Sequence, residues 1–113
     1  MGSGCLRRYR ADMQLLPPTT DDGYIEQLSR PDLSVGMYRI PAGGVDPQSP
    51  HTEDEVYVVT SGRATFVGDD SGSVEVGPGS VIFVPEGEGH RFVDITEDLA
   101  VVVVFGPAYG SRA

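Results

Sequence analysis

The stretch GGVDPQSPHTEDEVYVVTSG, residues 43–62, decides how this chain is read. It opens on a glycine turn, crosses a proline-broken polar segment to His51, turns a polar corner at Thr52, Glu53 and Asp54, and resumes at Glu55-Val56-Tyr57-Val58-Val59-Thr60. β-branched and aromatic residues dominate that run, the composition of a strand. A second stretch, GSVIFVPEGEGHRFVD at residues 79–94, repeats the plan: strand, Pro-Gly-rich turn, then a histidine, His90, at the head of the next strand.

The rest of the chain has the same grammar. Fifteen glycines and nine prolines separate short runs rich in Val, Ile, Phe and Tyr. Strands are expected near residues 24–28, 33–40, 45–51, 55–60, 64–67, 74–76, 80–84, 90–95 and 99–105, with Ser61-Gly62, Asp69-Asp70-Ser71-Gly72 and Gly77-Pro78-Gly79 among the turns. No stretch keeps apolar spacing of 3.6 over three turns, so helix is minimal. An all-β sandwich or barrel follows, because closure removes exposed strand edges. The run Leu99–Phe105 is apolar on both parities and is expected to be covered on both faces, inside the fold or by a second copy, which makes a homodimer the expected assembly. Residues 1–20 read as an extended arm and residues 108–113 as a loose tail.

Composition closes several functions. At 113 residues and 12.0 kDa the chain is one domain. Seventeen acidic against eight basic residues give a net charge of −9, which disfavours nucleic acid and anionic membranes as partners. No apolar run reaches the roughly 18 residues of a membrane helix. All eight cations are arginine, so a Schiff-base lysine and the lysine of a phosphate-binding loop are excluded. The single Cys5 forms no internal disulfide and suits a reducing cytoplasm; the first ten residues lack the apolar core of a secretory signal.

Chemistry concentrates at the two histidines. In a straight strand His51 and Glu55 would be roughly 13 Å apart, too far to share an ion. A corner at Thr52–Asp54 instead sets imidazole and carboxylate across from each other at roughly 5 Å, with His90 as third donor. Two histidines and one carboxylate leave positions open on an octahedral ion, as in non-haem iron sites. The bland reading, a solvated strand-start glutamate and a capped turn histidine, is equally compatible with the spacing alone.

The two motifs resemble those of the cupin superfamily. The first family motif has Gly, five residues, His-x-His, three or four residues, Glu, six residues, Gly; here stand Gly43, Ser49-Pro50-His51, Glu55 and Gly62. The second has Gly, five residues, Pro-x-Gly, two residues, His, three residues, Asn; here stand Gly79, Pro85-Glu86-Gly87, His90 and Asp94. The resemblance implies one cupin domain over 1–113, a jelly-roll-like double-stranded β-helix, holding a divalent transition metal (Fe(II), Mn, Ni, Co or Zn) through His51, Glu55 and His90. Ser49 stands where the family has its first histidine and is kept as a candidate ligand position. Asp94 replaces an asparagine, and Gln48 and Glu53 are reserve ligands, Glu53 more naturally a solvated corner charge.

Strand parity suggests the pocket walls. Tyr57 and Val59 share the inward face of Glu55; Phe92 and Asp94 share that of His90. Tyr57 is a candidate to orient Glu55 or to act as acid or base on a substrate. Arg39 ends the face of Leu33, Val35 and Met37 and is a candidate clamp for a substrate carboxylate or phosphate, against the alternative of a strand-end arginine reaching for water. Tyr38, Phe66 and Phe83 are expected in the core. The function expected is a small metalloenzyme with dioxygenase, isomerase, lyase or cyclase chemistry on a small organic substrate. A non-catalytic binding or sensing module, with metal absent or structural, is the rival. Ser49→His should tighten transition-metal binding in a competition titration; unchanged affinity would mean that position 49 does not face the ion.

Overall fold

A computed structural model of the protein describes residues 15–47 and 50–112. Cys5, Gln48 and Ser49 lie outside these residues. Six antiparallel strands, and no helix among the described residues, form the fold: β1 (Gly23–Arg30), β2 (Leu33–Ile40), β3 (Asp54–Gly68), β4 (Gly72–Val76), β5 (Val81–Val84) and β6 (His90–Gly106). The hydrogen-bonded order is β1-β2-β6-β3-β4, with β5 on the other part of β3. The long strands β3 and β6 pair with each other along most of their length and carry the rest.

Each long strand merges two expected short ones. Ser61-Gly62 does not turn the chain; the β3–β6 register shifts around residues 59–65, and the strand bends through the irregularity. Gly62 has φ +89°, and a Cβ there would collide with the Asp98 carbonyl, so the glycine serves a close backbone approach rather than a hairpin.

The expected strand at 45–51 is not formed among its described residues: Val45–Pro47, Pro50 and His51 pair with no strand. Pro47 and Pro50 offer no N–H to a ladder. The segment is fastened by Asp46, which is buried, accepts the Tyr38 hydroxyl at 2.6 Å and the Phe92 N–H at 2.8 Å, and so joins loop, β2 and β6.

The core lies between the inward faces, led by Tyr57, Val59, Phe92, Leu99, Val101 and Val103, each at most 1% exposed. Burial of side chains of this size contributes about 1.5–3 kcal/mol each. In Leu99–Phe105 the inner face (Leu99, Val101, Val103, Phe105) is buried, whereas Val102 and Val104 on the outer side are half-buried. Phe66 joins the core, but Phe83 is 60% exposed, because β5 sits at the sheet margin with Ile82 and Val84 inward and Phe83 outward. Asp94 leaves the face of His90 and Phe92: its φ of +49° breaks the alternation, so Asp94 is exposed and Ile95 is buried instead.

The tail is docked. Ala108 N–H donates to the Pro31 carbonyl, Tyr109 N–H to Ser34 Oγ at 2.9 Å, and Gly110 N–H to Glu53 Oε2 at 3.1 Å. At the opposite turn, buried Glu88 accepts the Asp70 N–H at 3.1 Å and the Ser71 hydroxyl at 2.9 Å, tying the loop before β6 to the β3–β4 hairpin. The Asp70 backbone donor, then Ser71, hold the Glu88 carboxyl below its ordinary 4.5. A depressed folded-state value stabilises the protein above the unfolded pKa, and this contribution disappears as pH falls through the folded value. Glu88→Gln should therefore lower the melting temperature at pH 7, with the gap to wild type closing in acid below the carboxyl range; calorimetry showing an equal gap at both ends would contradict this role.

Candidate metal centre

Three separate elements deliver the two histidines and the glutamate to one point. His51 ends the proline-broken loop, and its carbonyl accepts the Gly87 N–H at 2.7 Å, which fastens the first histidine's backbone to the turn before the second. The chain then bends at Thr52 and Glu53, as the polar corner predicts. Glu55 is the second residue of β3, opposite Phe105 and Val84; His90 is the first of β6, opposite Gly68. The ligand atoms of His51, Glu55 and His90 all lie within 4.8 Å of one another. Glu55 Oε1 is 3.8 Å from His51 Nε2 and 3.0 Å from His90 Nε2.

Proton positions give this geometry its meaning. His90 Nδ1 is 2.9 Å from the Glu88 carbonyl, which can only accept, so Nδ1 carries the proton and Nε2 of the neutral ring is a lone pair. That lone pair faces a carboxylate oxygen at 3.0 Å. Carboxylate oxygen and ring nitrogen are both acceptors, so their 3.0 Å contact is favourable only with a proton or a metal ion between them; without one, this nitrogen accepts from the Tyr57 hydroxyl 3.1 Å away. Glu55 Oε1 is in fact buried without a hydrogen bond among the described residues. Leaving such an oxygen unsatisfied costs about 1–3 kcal/mol or more for a charged group. Two imidazoles and one carboxylate are a donor set suited to a divalent transition ion with positions left open, so the residues fit the metal that the sequence motifs imply.

The histidines are driven in opposite directions. Burial pushes the His51 pKa down, against the pull of Glu55, and keeps this ring neutral and able to ligate. Burial would also depress His90, but its contacts with Glu55 and the Glu88 carbonyl outweigh this and raise it. Tyr57 is completely buried and its hydroxyl lies 3.1 Å from His90 Nε2. Burial, then the neighbouring Glu55 charge, pushes its pKa far up, so the phenol keeps its proton and is a donor, not a base.

Beside the trio opens a cavity of about 570 Å³. His51 and Glu55 form part of its wall, with Tyr24, Tyr38, Phe105 and Tyr109. Arg39 lines it as well, 4.0 Å through Nε from Asp22 Oδ1. Tyr57 is completely buried, and neither it nor His90 is among the residues that line the cavity. Glu53 is 2% exposed, neither solvated nor in the trio; its Oε2 accepts Gly110 N–H and the Thr52 hydroxyl. Tyr38 is core and cavity wall at once.

Tyr24, Asp46 and Tyr109 escaped the sequence reading. Asp46 stands between two expected strand residues and looks exposed, and Tyr109 falls in the expected tail. Tyr24 carried a usable signal: Gly36, two residues before its partner Tyr38, leaves space for the ring.

A model of the cupin domain matches residues 36–106, which include both histidines, the glutamate and the strands that hold them. The chain belongs to the cupin family. It is 43% identical over 104 residues to an uncharacterised protein of Streptomyces coelicolor, covering 90% of this chain and 97% of that one. Among solved structures, this cupin resembles a cupin family protein with a double-stranded β-helix fold from Methanocaldococcus jannaschii, at a TM-score of 0.71 and 15% identity over 87% of this chain and 94% of the other. It also resembles the DMSP lyase DddQ from Ruegeria pomeroyi, at a TM-score of 0.67 and 21% identity over 92% of this chain and 58% of that one. The fold is thus the all-β, double-stranded β-helix that the motifs implied, and at these identities the structural likeness shows the fold alone.

Proposed function

We propose that this cupin is a metal-dependent enzyme that acts on a small organic molecule held in the cavity beside His51, Glu55 and His90. The observation that carries the reading is the buried, unsatisfied Glu55 Oε1 between two imidazole nitrogens. A bound Fe(II), Mn, Co, Ni or Zn ion would supply Lewis acidity, or oxygen chemistry in the case of iron. The chain's own residues do the rest. His51 stays neutral, and Glu88 fixes the ring orientation of His90 through its carbonyl. Arg39 is the candidate cation for a substrate anion. Lyase chemistry is compatible with this barrel, since DddQ, a DMSP lyase, shares the fold. One observation favours the second reading, a non-catalytic binding module: the sealed position of Tyr57 removes it as acid or base toward a substrate.

Metal content separates the two. Protein purified without chelator should carry near-stoichiometric transition metal by elemental analysis, and His51→Ala should lose most of it. Equal, negligible metal in both would overturn the enzyme reading in favour of the binding module.

The assembly we infer is a homodimer in the cytoplasm, the compartment that the lone Cys5 suits. Across the outer face of the sheet, two cross-strand rows are wholly apolar: Phe83, Val56, Val104, Val35 and Leu28, and beside it Val81, Val58, Val102, Met37 and Ile25. No charge enters either row in a chain of net charge −9, so two like-charged copies can meet there. Two rows two residues apart occupy roughly 14 Å of strand, which across five strands at about 4.8 Å spacing gives a face on the order of 300 Å². A standard interface buries about 800 Å² per partner, so these rows would form only part of the contact. Phe83→Glu should convert a wild-type dimer to monomer in sedimentation velocity without changing the melting temperature; a monomeric wild type would overturn the assignment.

A further inference from the structure

The three side chains of the metal centre are not equally sheltered. Those of Glu55 and His90 are each 1% exposed, whereas that of His51 is 14% exposed and borders the cavity. His51 is therefore the member of the trio through which the centre meets solvent. Whatever stands over this ring governs passage between the two.

Two aromatic rings stand against it. Phe105 and Tyr109 meet the His51 ring at 5.1 and 5.5 Å between centroids, both nearly perpendicular to it, at 79° and 80°. The two are themselves closer to parallel, at 4.8 Å and 33°, and Tyr24 backs Tyr109 at 5.8 Å. Perpendicular ring contacts are favourable and depend on orientation, so together they fix the plane of the imidazole. Phe105 belongs to the core, but Tyr109 is 48% exposed and is the outer ring of the pair. Tyr109 lines the cavity as well.

Buried polar groups hold this tyrosine in place. Ser34, fully buried, accepts the Tyr109 N–H at 2.9 Å. Glu53, almost fully buried, accepts the next N–H, that of Gly110, at 3.1 Å, alongside the Thr52 hydroxyl. Arg112 reaches the Thr52 carbonyl at 3.2 Å, one residue from His51. Burying a carboxylate costs free energy that only well-placed donors offset. The outcome of this anchoring is a half-exposed ring held at one position against His51.

We propose that Tyr109 is a gating and positioning residue of the metal centre: its ring keeps the His51 imidazole turned toward Glu55 and His90 and closes the path by which an ion enters or leaves. The assignment rests on the metal reading above and adds control of exchange to it. A gate leaves a kinetic mark that a merely structural side chain does not. Its removal speeds entry and exit together, whereas a loosened ligand speeds exit alone.

The test follows zinc exchange by stopped flow, with zinc-loaded full-length protein mixed into excess chelator and metal-free protein mixed with zinc. Tyr109→Ala should release zinc at least tenfold faster and take it up several-fold faster, so that affinity falls by less than the release rate rises. Tyr109→Phe, which keeps the ring, should match wild type in both directions, and Tyr109→Leu should fall between. Melting curves identify any variant that has lost its fold. A second measurement needs no metal. Diethyl pyrocarbonate acylates accessible neutral imidazoles, and the chain has two histidines. On metal-free protein the reagent should modify His51 several-fold faster in Tyr109→Ala than in wild type, with His90 slow in both. Release from Tyr109→Ala at the wild-type rate, faster release without faster uptake, or a Tyr109→Phe effect as large as that of Tyr109→Ala overturns the proposal. A wild type that takes up no zinc, while His51 reactivity still depends on Tyr109, sinks the metal reading and leaves the cover over His51 standing; equal reactivity sinks the cover itself.

Discussion

The contact between Glu55 and His90 constrains everything around it. A carboxylate oxygen and an imidazole nitrogen stand 3.0 Å apart in the core, and the ring's other nitrogen already donates to the Glu88 carbonyl. The pair is tolerable only with positive charge between its members, because an isolated buried carboxylate carries a desolvation penalty of several kcal/mol. The neighbourhood holds the pair in place rather than relieving it. Glu88 is anchored by the β3–β4 hairpin, His51 by Gly87, and the corner at Glu53 by Gly110.

The buried acids divide into two kinds. Asp46 has both oxygens, and Glu53 and Glu88 their Oε2, occupied by backbone N–H groups or hydroxyls, and each fastens one loop of the centre. Glu55 keeps an oxygen free of hydrogen bonds. In a chain this acidic, satisfied carboxylates are scaffold and the unsatisfied one marks the place for a cation.

Local chemistry explains what could be read from the residues alone. The β-branched and aromatic composition of Glu55–Thr60 and the flanking glycines and prolines announce strands and turns whatever they pack against, and motif spacing carries the trio. What could not be read depends on contacts between distant segments. Val45–His51 has strand-like composition, yet two prolines deny it a ladder and Asp46 binds β2 and β6 instead. Ser61-Gly62 looks like a hairpin turn, but only the Asp98 carbonyl on β6 shows that the glycine is there for clearance. Tyr24 and Tyr109 reach the cavity through ring packing between the first and last segments, a relation that no local pattern encodes. Asp94 leaves the face of His90 because its positive φ breaks the alternation at that residue, which no local composition announces.

The docked segment after β6 bears on the site from outside. Its backbone closes on Glu53 and Ser34, its last arginine reaches the Thr52 carbonyl and the Glu86 carboxylate, and Tyr109 covers the His51 ring. These few residues work as a clasp across both histidine-bearing loops. Drift in their length or composition among descendants of this chain would therefore retune the reactive centre while leaving the barrel beneath it intact, making the clasp an inexpensive place for selection to adjust chemistry without renegotiating the fold.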